Sequence, residues 1–293
     1  MGVGLWNYCL TFKIKKTMND VEKLSAILKE KDSAAYKSLS AFLGKPPEWE
    51  DINKVVLEKW KRNMLSNLSP ATAKRYCASM RAILNLYEGI IDIGRDVSKN
   101  LNVKVTKSVN TYLSLNEINI IGRYCVKNSI ERDVLNQFIL QCWTGCRVGD
   151  CGKLSTSNIQ VMNDVKTISY TSEKTKITAV VPLKPIVENI LRNRGDFCLY
   201  DNTTYNRTIQ HIAFICNISE EVTLFRAGKV ITIPKWKAIT SHTARRSFAT
   251  NLYLNGVDIV SISKMMGHSN TAQTERYICT PLNINTEIKN YFA

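Results

Sequence analysis

The chain has 293 residues and, with 40 Lys+Arg against 25 Asp+Glu, a formal net charge of +15 and a pI near 9.4. Its composition, 44% apolar and 22% charged, is that of a folded soluble protein, and no apolar run approaches the ~18 residues of a membrane span. The start, MGVGLWNYCLTFKIKK, is apolar first and basic second, the reverse of a secretory signal. Membrane and secreted classes are therefore set aside, and a cytoplasmic protein is expected. Residues 1–100 hold 17 basic and 11 acidic residues, and 101–293 hold 23 and 14. An excess shared by both halves favours a long polyanion as partner, nucleic acid above all. The nine cysteines are odd in number and lack a C-x-x-C pair, and Cys142, Cys146 and Cys151 have no histidine nearby. Reduced, mostly buried thiols are expected, with no metal site.

In chain order, Asp32-Ser33 can cap a helix over 34–43 that Gly44 and the Pro46-Pro47 pair stop. A second helix fits 49–65, with Ile52, Val55, Val56, Leu57, Trp60 and Met64 on its apolar side. Ser69-Pro70 opens a third over 71–87, whose stripe of Tyr76, Met80, Ile83, Leu84 and Tyr87 leaves Lys74, Arg75 and Arg81 aside. A small helical bundle over 20–96 follows, behind a segment 1–19. Residues 97–112 have no helical period and carry Lys99, Lys104 and Lys107, which reads as a linker able to lie against phosphates.

The second domain, 113–293, opens with Ser114 capping a helix over 115–126, then another over 130–143. The period then changes: 159–162, 166–171 and 178–182 alternate like strands, with Asn163-Asp164 as a tight turn. Helices return at 184–194 and 204–218, and a hairpin fits 222–225 with 230–233. Further helices are expected at 244–255, 259–266, 271–278 and 284–291. The fold class is mainly α with a small antiparallel β-sheet (α+β), in two domains.

Of the three histidines, His211 lies between Ile209 and Ile212 on an apolar helix and is expected to pack or cap. The other two stand beside arginines, in SHTARRSFATNLYLNGV and MMGHSNTAQTERYI. His242 and Arg245, three apart at a helix start, project from one side of its first turn. His268 follows Gly267 and precedes Tyr277 by nine residues. Histidine, arginine and tyrosine without an acidic metal cluster suit one chemistry. Guanidinium groups clamp a phosphodiester, imidazoles donate to its remaining oxygens, and the tyrosine oxygen attacks phosphorus.

These residues resemble the tyrosine recombinase, or phage integrase, family, closely over 110–280 and more loosely over 20–95. The family's first arginine motif, T-G-x-R with an acidic residue three places on, corresponds to TGCRVGD, hence Arg147 and Asp150. Its hairpin lysine corresponds to Lys174 in EKTKITAVVPL, with Lys176 as the alternative register. The H-x-x-R box corresponds to His242 and Arg245, the G-H box to His268, and the nucleophile to Tyr277. The stretch HTARRSFATNLYLNGV is most similar to integrases of Bacteroidetes and their mobile elements.

The resemblance implies a site-specific recombinase shaped as a C-shaped clamp, with a helical core-binding domain and a catalytic domain. It implies a 3′-phosphotyrosine intermediate made without metal, ATP or any cofactor, with Lys174 protonating the leaving oxygen. Asp150 would orient the first arginine or its helix. The partners implied are double-stranded DNA recombination sites and, on DNA, a homo-tetramer, with monomers or weak self-association otherwise. The terminal helix 284–291 would dock on a neighbouring protomer. Arg62, Lys74, Arg75, Arg81, Lys104, Lys107, Trp236, Lys237 and Arg246 are candidate DNA contacts. The location expected is the bacterial nucleoid, or host-cell cytoplasm for a phage protein.

Overall fold

The carboxylate of Asp32 accepts from the backbone N–H groups of Ala34 and Ala35 at 3.2 and 3.1 Å and so caps a helix over Ser33–Leu43 (α2), a contact of about 1 kcal/mol. Gly44, at φ 73°, ends it in the left-handed conformation that favours glycine. A helix at Leu24–Lys31 (α1) precedes it, where the sequence had suggested none. Asn53 and Ser69 cap the next two, Lys54–Asn67 (α3) and Pro70–Leu86 (α4). The helix expected from Trp49 is in fact a 3-10 turn, Trp49–Asp51, followed by a fresh start at Asn53. That restart leaves Val55 exposed rather than on the apolar side.

The computed structural model describes residues 22–91, 97–105, 110–193, 198–226 and 229–279. They divide into two units, one made by the residues up to 105 and one by nearly all from 110 on. In the first, Leu28, Leu39, Leu57, Trp60, Met80 and Ile83 are among the side chains forming the core, and Trp60 donates its indole N–H to Ser38 Oγ at 3.1 Å. The 3-10 turn Val97–Leu101 adds Val97 and Leu101 to this core, and Val103 follows. The beginning of the expected linker is therefore packed against the helices, because its alternate apolar residues have a surface to cover. The segment 1–19, Lys107 and the expected helix 284–291 lie outside the described residues.

In the second unit the helix Ser129–Thr144 (α6) is buried along most of its length. It packs against Leu115–Gly122 (α5), Pro185–Asn193 (α8), Asn202–Ile215 (α9) and Ser241–Leu254 (α11). Between α6 and α8 the chain forms a short helix, Val148–Cys151 (α7), and three strands, Ile159–Met162 (β1), Val165–Thr171 (β2) and Thr178–Pro182 (β3). The strands pair antiparallel in that order, Ile159 opposite Ile168 and Thr171 opposite Thr178. Asn163 and Asp164 make the β1–β2 turn, both at positive φ. The later hairpin pairs Glu221–Arg226 (β4) with Lys229–Pro234 (β5), and Lys235–Ala238 (α10) leads into α11. Two short helices follow, Ile259–Met265 (α12) and Thr271–Glu275 (α13). His211 is exposed on α9 rather than packed; Ile209 and Ile212 face the core in its place. Among the described residues no helix is long and apolar enough to cross a membrane.

Candidate active site

Five chain segments converge in the second unit. The first begins where α6 stops at Gly145, whose φ of 66° and lack of a side chain are both needed. A Cβ there would lie 2.5 Å from the Phe248 ring. The chain then runs extended into α7, with Arg147 at its N-cap position. Arg147 is half-buried and donates from Nη1 to Ser172 Oγ at 2.6 Å. Burial, and after it the field of Arg245, lowers its pKa from the usual guanidinium value. Two cations are thus held close enough to repel.

Asp150 is buried, and its Oδ1 accepts from the backbone N–H of Glu173 at 3.0 Å. Only its field reaches Arg147. Instead of bonding that arginine, it fixes the β2–β3 loop, the segment that carries the lysines. The same loop is tied by Ser172 to Arg147 and by Thr175, whose Oγ1 donates to Gly267 O at 3.0 Å. Lys176 takes the left-handed conformation at φ 57° and its charge acts on Glu173. Lys174 is exposed, and its charge acts on His242. Of the two lysines, Lys174 is the one whose field reaches the site.

The first turn of α11 presents His242 and Arg245, after a capping box of Thr240 and Thr243. Arg245 is 1% exposed. It donates from Nη1 to Gly145 O, and from Nη2 to Met266 O at 2.7 Å, with His268 Nε2 2.8 Å away. Its Nε is buried without a hydrogen-bond partner among the described residues. His242 keeps an edge open to solvent; desolvation of the rest, then the charges of Arg246, Arg245, Arg147 and Lys174, lower its pKa.

His268 follows α12, seated by its backbone N–H on Ser263 O at 3.0 Å. It is nearly buried, and its Nδ1 lies 2.9 Å from Thr274 Oγ1. Burial, ahead of the fields of Arg245 and Arg147, pushes its imidazole down to about 4. Tyr277 lies beyond α13, which ends at Glu275 and so is shorter than the sequence suggested. The turn after it is held by Tyr277 N–H on Thr274 O at 2.8 Å and by Thr250 Oγ1 on Tyr277 O at 3.3 Å. Around the Tyr277 ring, His268 and His242 have their ring centres at 5.3 and 6.3 Å, and the Arg245 guanidinium carbon is 5.3 Å away.

Arg147, Lys174, His242, Arg245, His268 and Tyr277 are thus linked by contact or field, with Asp150 beneath the loop. Among the described residues no carboxylate is within ion-pair distance of either guanidinium, although both are desolvated. Such a pair fits an oxyanion of phosphate charge. The residues that sequence reasoning missed are Ser172, Thr175, Thr250 and Thr274, which hold Arg147, the β2–β3 loop, the Tyr277 main chain and the His268 ring in place. Burial of Ser172, Thr250 and Thr274 is their only signal, and it has no mark in the sequence.

The candidate DNA contacts are scattered. Arg62, Lys74, Arg75 and Lys104 are exposed on the first unit and Arg81 is half-buried. Arg75 is engaged with Asp32 at 2.8 Å and stacks over Tyr76. In the second unit Lys237 is exposed, while the Trp236 ring packs edge-on against Phe214 at 5.2 Å. Arg246 adjoins the site through its effect on His242.

An array of this kind, on this fold, defines a class of DNA strand-transfer proteins, and comparison with known proteins places the chain within it. Residues 111–280 match the phage integrase family, and the chain belongs to that family. It is 24% identical over 238 residues to a tyrosine recombinase of Pseudothermotoga lettingae, covering 79% of each chain. It is 29% identical over 148 residues to the tyrosine recombinase XerD of Staphylococcus aureus, covering 46% of this chain and 45% of that one. Among solved structures, a lambda integrase dimer bound to a core site superposes with a TM-score of 0.62 at 14% identity, over 89% of this chain and 94% of that one. The XerH recombinase in a post-cleavage complex with its difH substrate gives 0.61 at 16%, over 84% and 71%.

Proposed function

We propose that Tyr277 attacks a DNA phosphodiester held by Arg147 and Arg245, leaving a 3′-phosphotyrosine and a free 5′-hydroxyl. Family membership makes the chain a tyrosine recombinase that cuts and rejoins DNA strands; the assignment of steps to residues is the proposal. The observation that carries it is the pair of desolvated guanidinium groups beside the Tyr277 ring, with no carboxylate at ion-pair distance among the described residues. They offset the charge that builds on the pentacoordinate phosphorus. His242 supplies a further polar contact to the phosphate, His268 steadies Arg245 from behind, and Lys174 hands a proton to the departing 5′-oxygen. Because the phosphotyrosine keeps the energy of the broken bond, a 5′-hydroxyl from a partner duplex reseals it without ATP and without a metal.

Exchange between two duplexes calls for four such sites, so the working form is a tetramer on paired recombination sites. Asp150 acts by holding the loop that carries Lys174. The candidate cations of the first unit grip backbone phosphates.

The test is a suicide DNA duplex nicked just downstream of the cleavage position, so that the short fragment bearing the new 5′-hydroxyl diffuses away. The wild-type chain accumulates a protein–DNA adduct that survives denaturation, and Tyr277→Phe forms none. An undiminished adduct in that variant would remove Tyr277 as nucleophile.

A further inference from the structure

Thr274 is fully buried on α13, three residues before Tyr277, and the helix cap is made by Asn270 instead. Its hydroxyl lies 2.9 Å from Nδ1 of His268, at the edge of the ring opposite Arg245. At the other edge Nε2 lies 2.8 Å from Nη2 of Arg245. A guanidinium has donors and no acceptor, so the nitrogen facing it must be bare. Burial keeps the ring neutral at physiological pH, with an imidazole pKa near 4. A neutral imidazole carries one proton, and with Nε2 bare that proton is on Nδ1, donated to Thr274 Oγ1. The hydroxyl at one edge therefore receives the proton that the edge facing Arg245 cannot carry. The main chain of Thr274 also accepts from the N–H of Tyr277 at 2.8 Å, so one residue stands between the histidine and the nucleophile.

We propose that Thr274 is a positioning residue of the cleavage site, fixing His268 in the Nδ1–H tautomer so that its Nε2 seats Arg245 beside Tyr277. The effect on cleavage rests on the recombinase reading above; the contact itself does not. The logic is that of the partners that orient metal-bound histidines, whose loss costs roughly ten- to a hundredfold.

The decisive measurement is nitrogen NMR of the full chain labelled with 15N-histidine, in which only three rings appear. At neutral pH, without DNA, His268 should show a protonated Nδ1 and a bare Nε2. Thr274→Val, which keeps the shape and removes the hydroxyl, should lose that pattern and slow adduct formation on the nicked duplex by about tenfold or more. Binding to intact duplex should be unchanged. Thr274→Ser should restore both tautomer and rate. A wild-type His268 protonated on Nε2 would overturn the proposal, as would a Val variant with unchanged tautomer and rate. Should the Val variant fail to fold, the wild-type tautomer and the Ser variant still decide. Absence of any adduct from the wild-type chain would instead count against the recombinase reading, leaving the tautomer to be judged alone.

Discussion

At the scale of single residues, His268 ties stability to pH. Its imidazole is held near 4 by burial and two arginines, against an ordinary value of 6.5. The unfolded chain therefore binds a proton at this ring over a range where the folded chain does not. Stability contributed by the neutral ring is present above pH 6.5 and lost as the pH falls towards 4, by up to about 3 kcal/mol. Thermal unfolding of the chain followed from pH 7.5 to 4.5 should show this loss, and His268→Gln should flatten the curve over that window. An equally steep curve in the variant would assign the loss to other groups. The charged members of the site were readable beforehand because each belongs to a box with fixed spacing and an uncommon residue type. Ser172 and Thr274 were not, since hydroxyl residues are frequent and only the folded core reveals which ones are buried against an arginine or a histidine of the site. Asp150 was readable as a participant but not in its partner, which lies 23 residues on at the Glu173 backbone.

At the scale of elements, the β2–β3 loop is the one most dependent on others. Six residues, 172–177, are tied to Arg147, to Asp150 and to Gly267, each from a different segment. Thr175→Val removes the tie to Gly267 and leaves the strands paired, so cleavage should slow several-fold while duplex binding holds. Lys174→Ala should slow it far more. On a substrate with sulfur in place of the leaving 5′-oxygen, whose departure needs no proton, both defects should vanish. A persistent Lys174 defect on that substrate would mean that the lysine does something other than donate a proton. Caps and turn residues made most element positions legible: Asp32, Ser69, Ser114 and Asn163-Asp164 all stand where their chemistry suggested. The misses have the same physical origin. Helix α1 lacks a side-chain cap, and the Trp49–Asp51 turn satisfies its own ends, so neither boundary was marked by an obvious signal.

At the scale of the whole molecule, the charge of +15 belongs to both halves of the sequence. Few of these cations are needed for one phosphate, and Arg75 and Lys235 are committed to carboxylates within their own units. On the proposed reading the exposed remainder neutralises DNA backbone, so affinity should fall with salt at a log–log slope of about −0.9 per phosphate contacted. Charge-removing changes at Lys74 and Arg62 should each reduce that slope by about one contact without altering which sequence is preferred. A slope near zero would exclude backbone contacts as the source of binding. The seat of Arg245 bears on the safety of a chain that cuts DNA. Its outer nitrogens rest on main-chain carbonyls of Gly145 and Met266, about a hundred and twenty residues apart in sequence. On the proposed mechanism, a chain in which either stretch has come undone has no place for that guanidinium, so local melting would silence cutting rather than leave a stray nickase in contact with the genome.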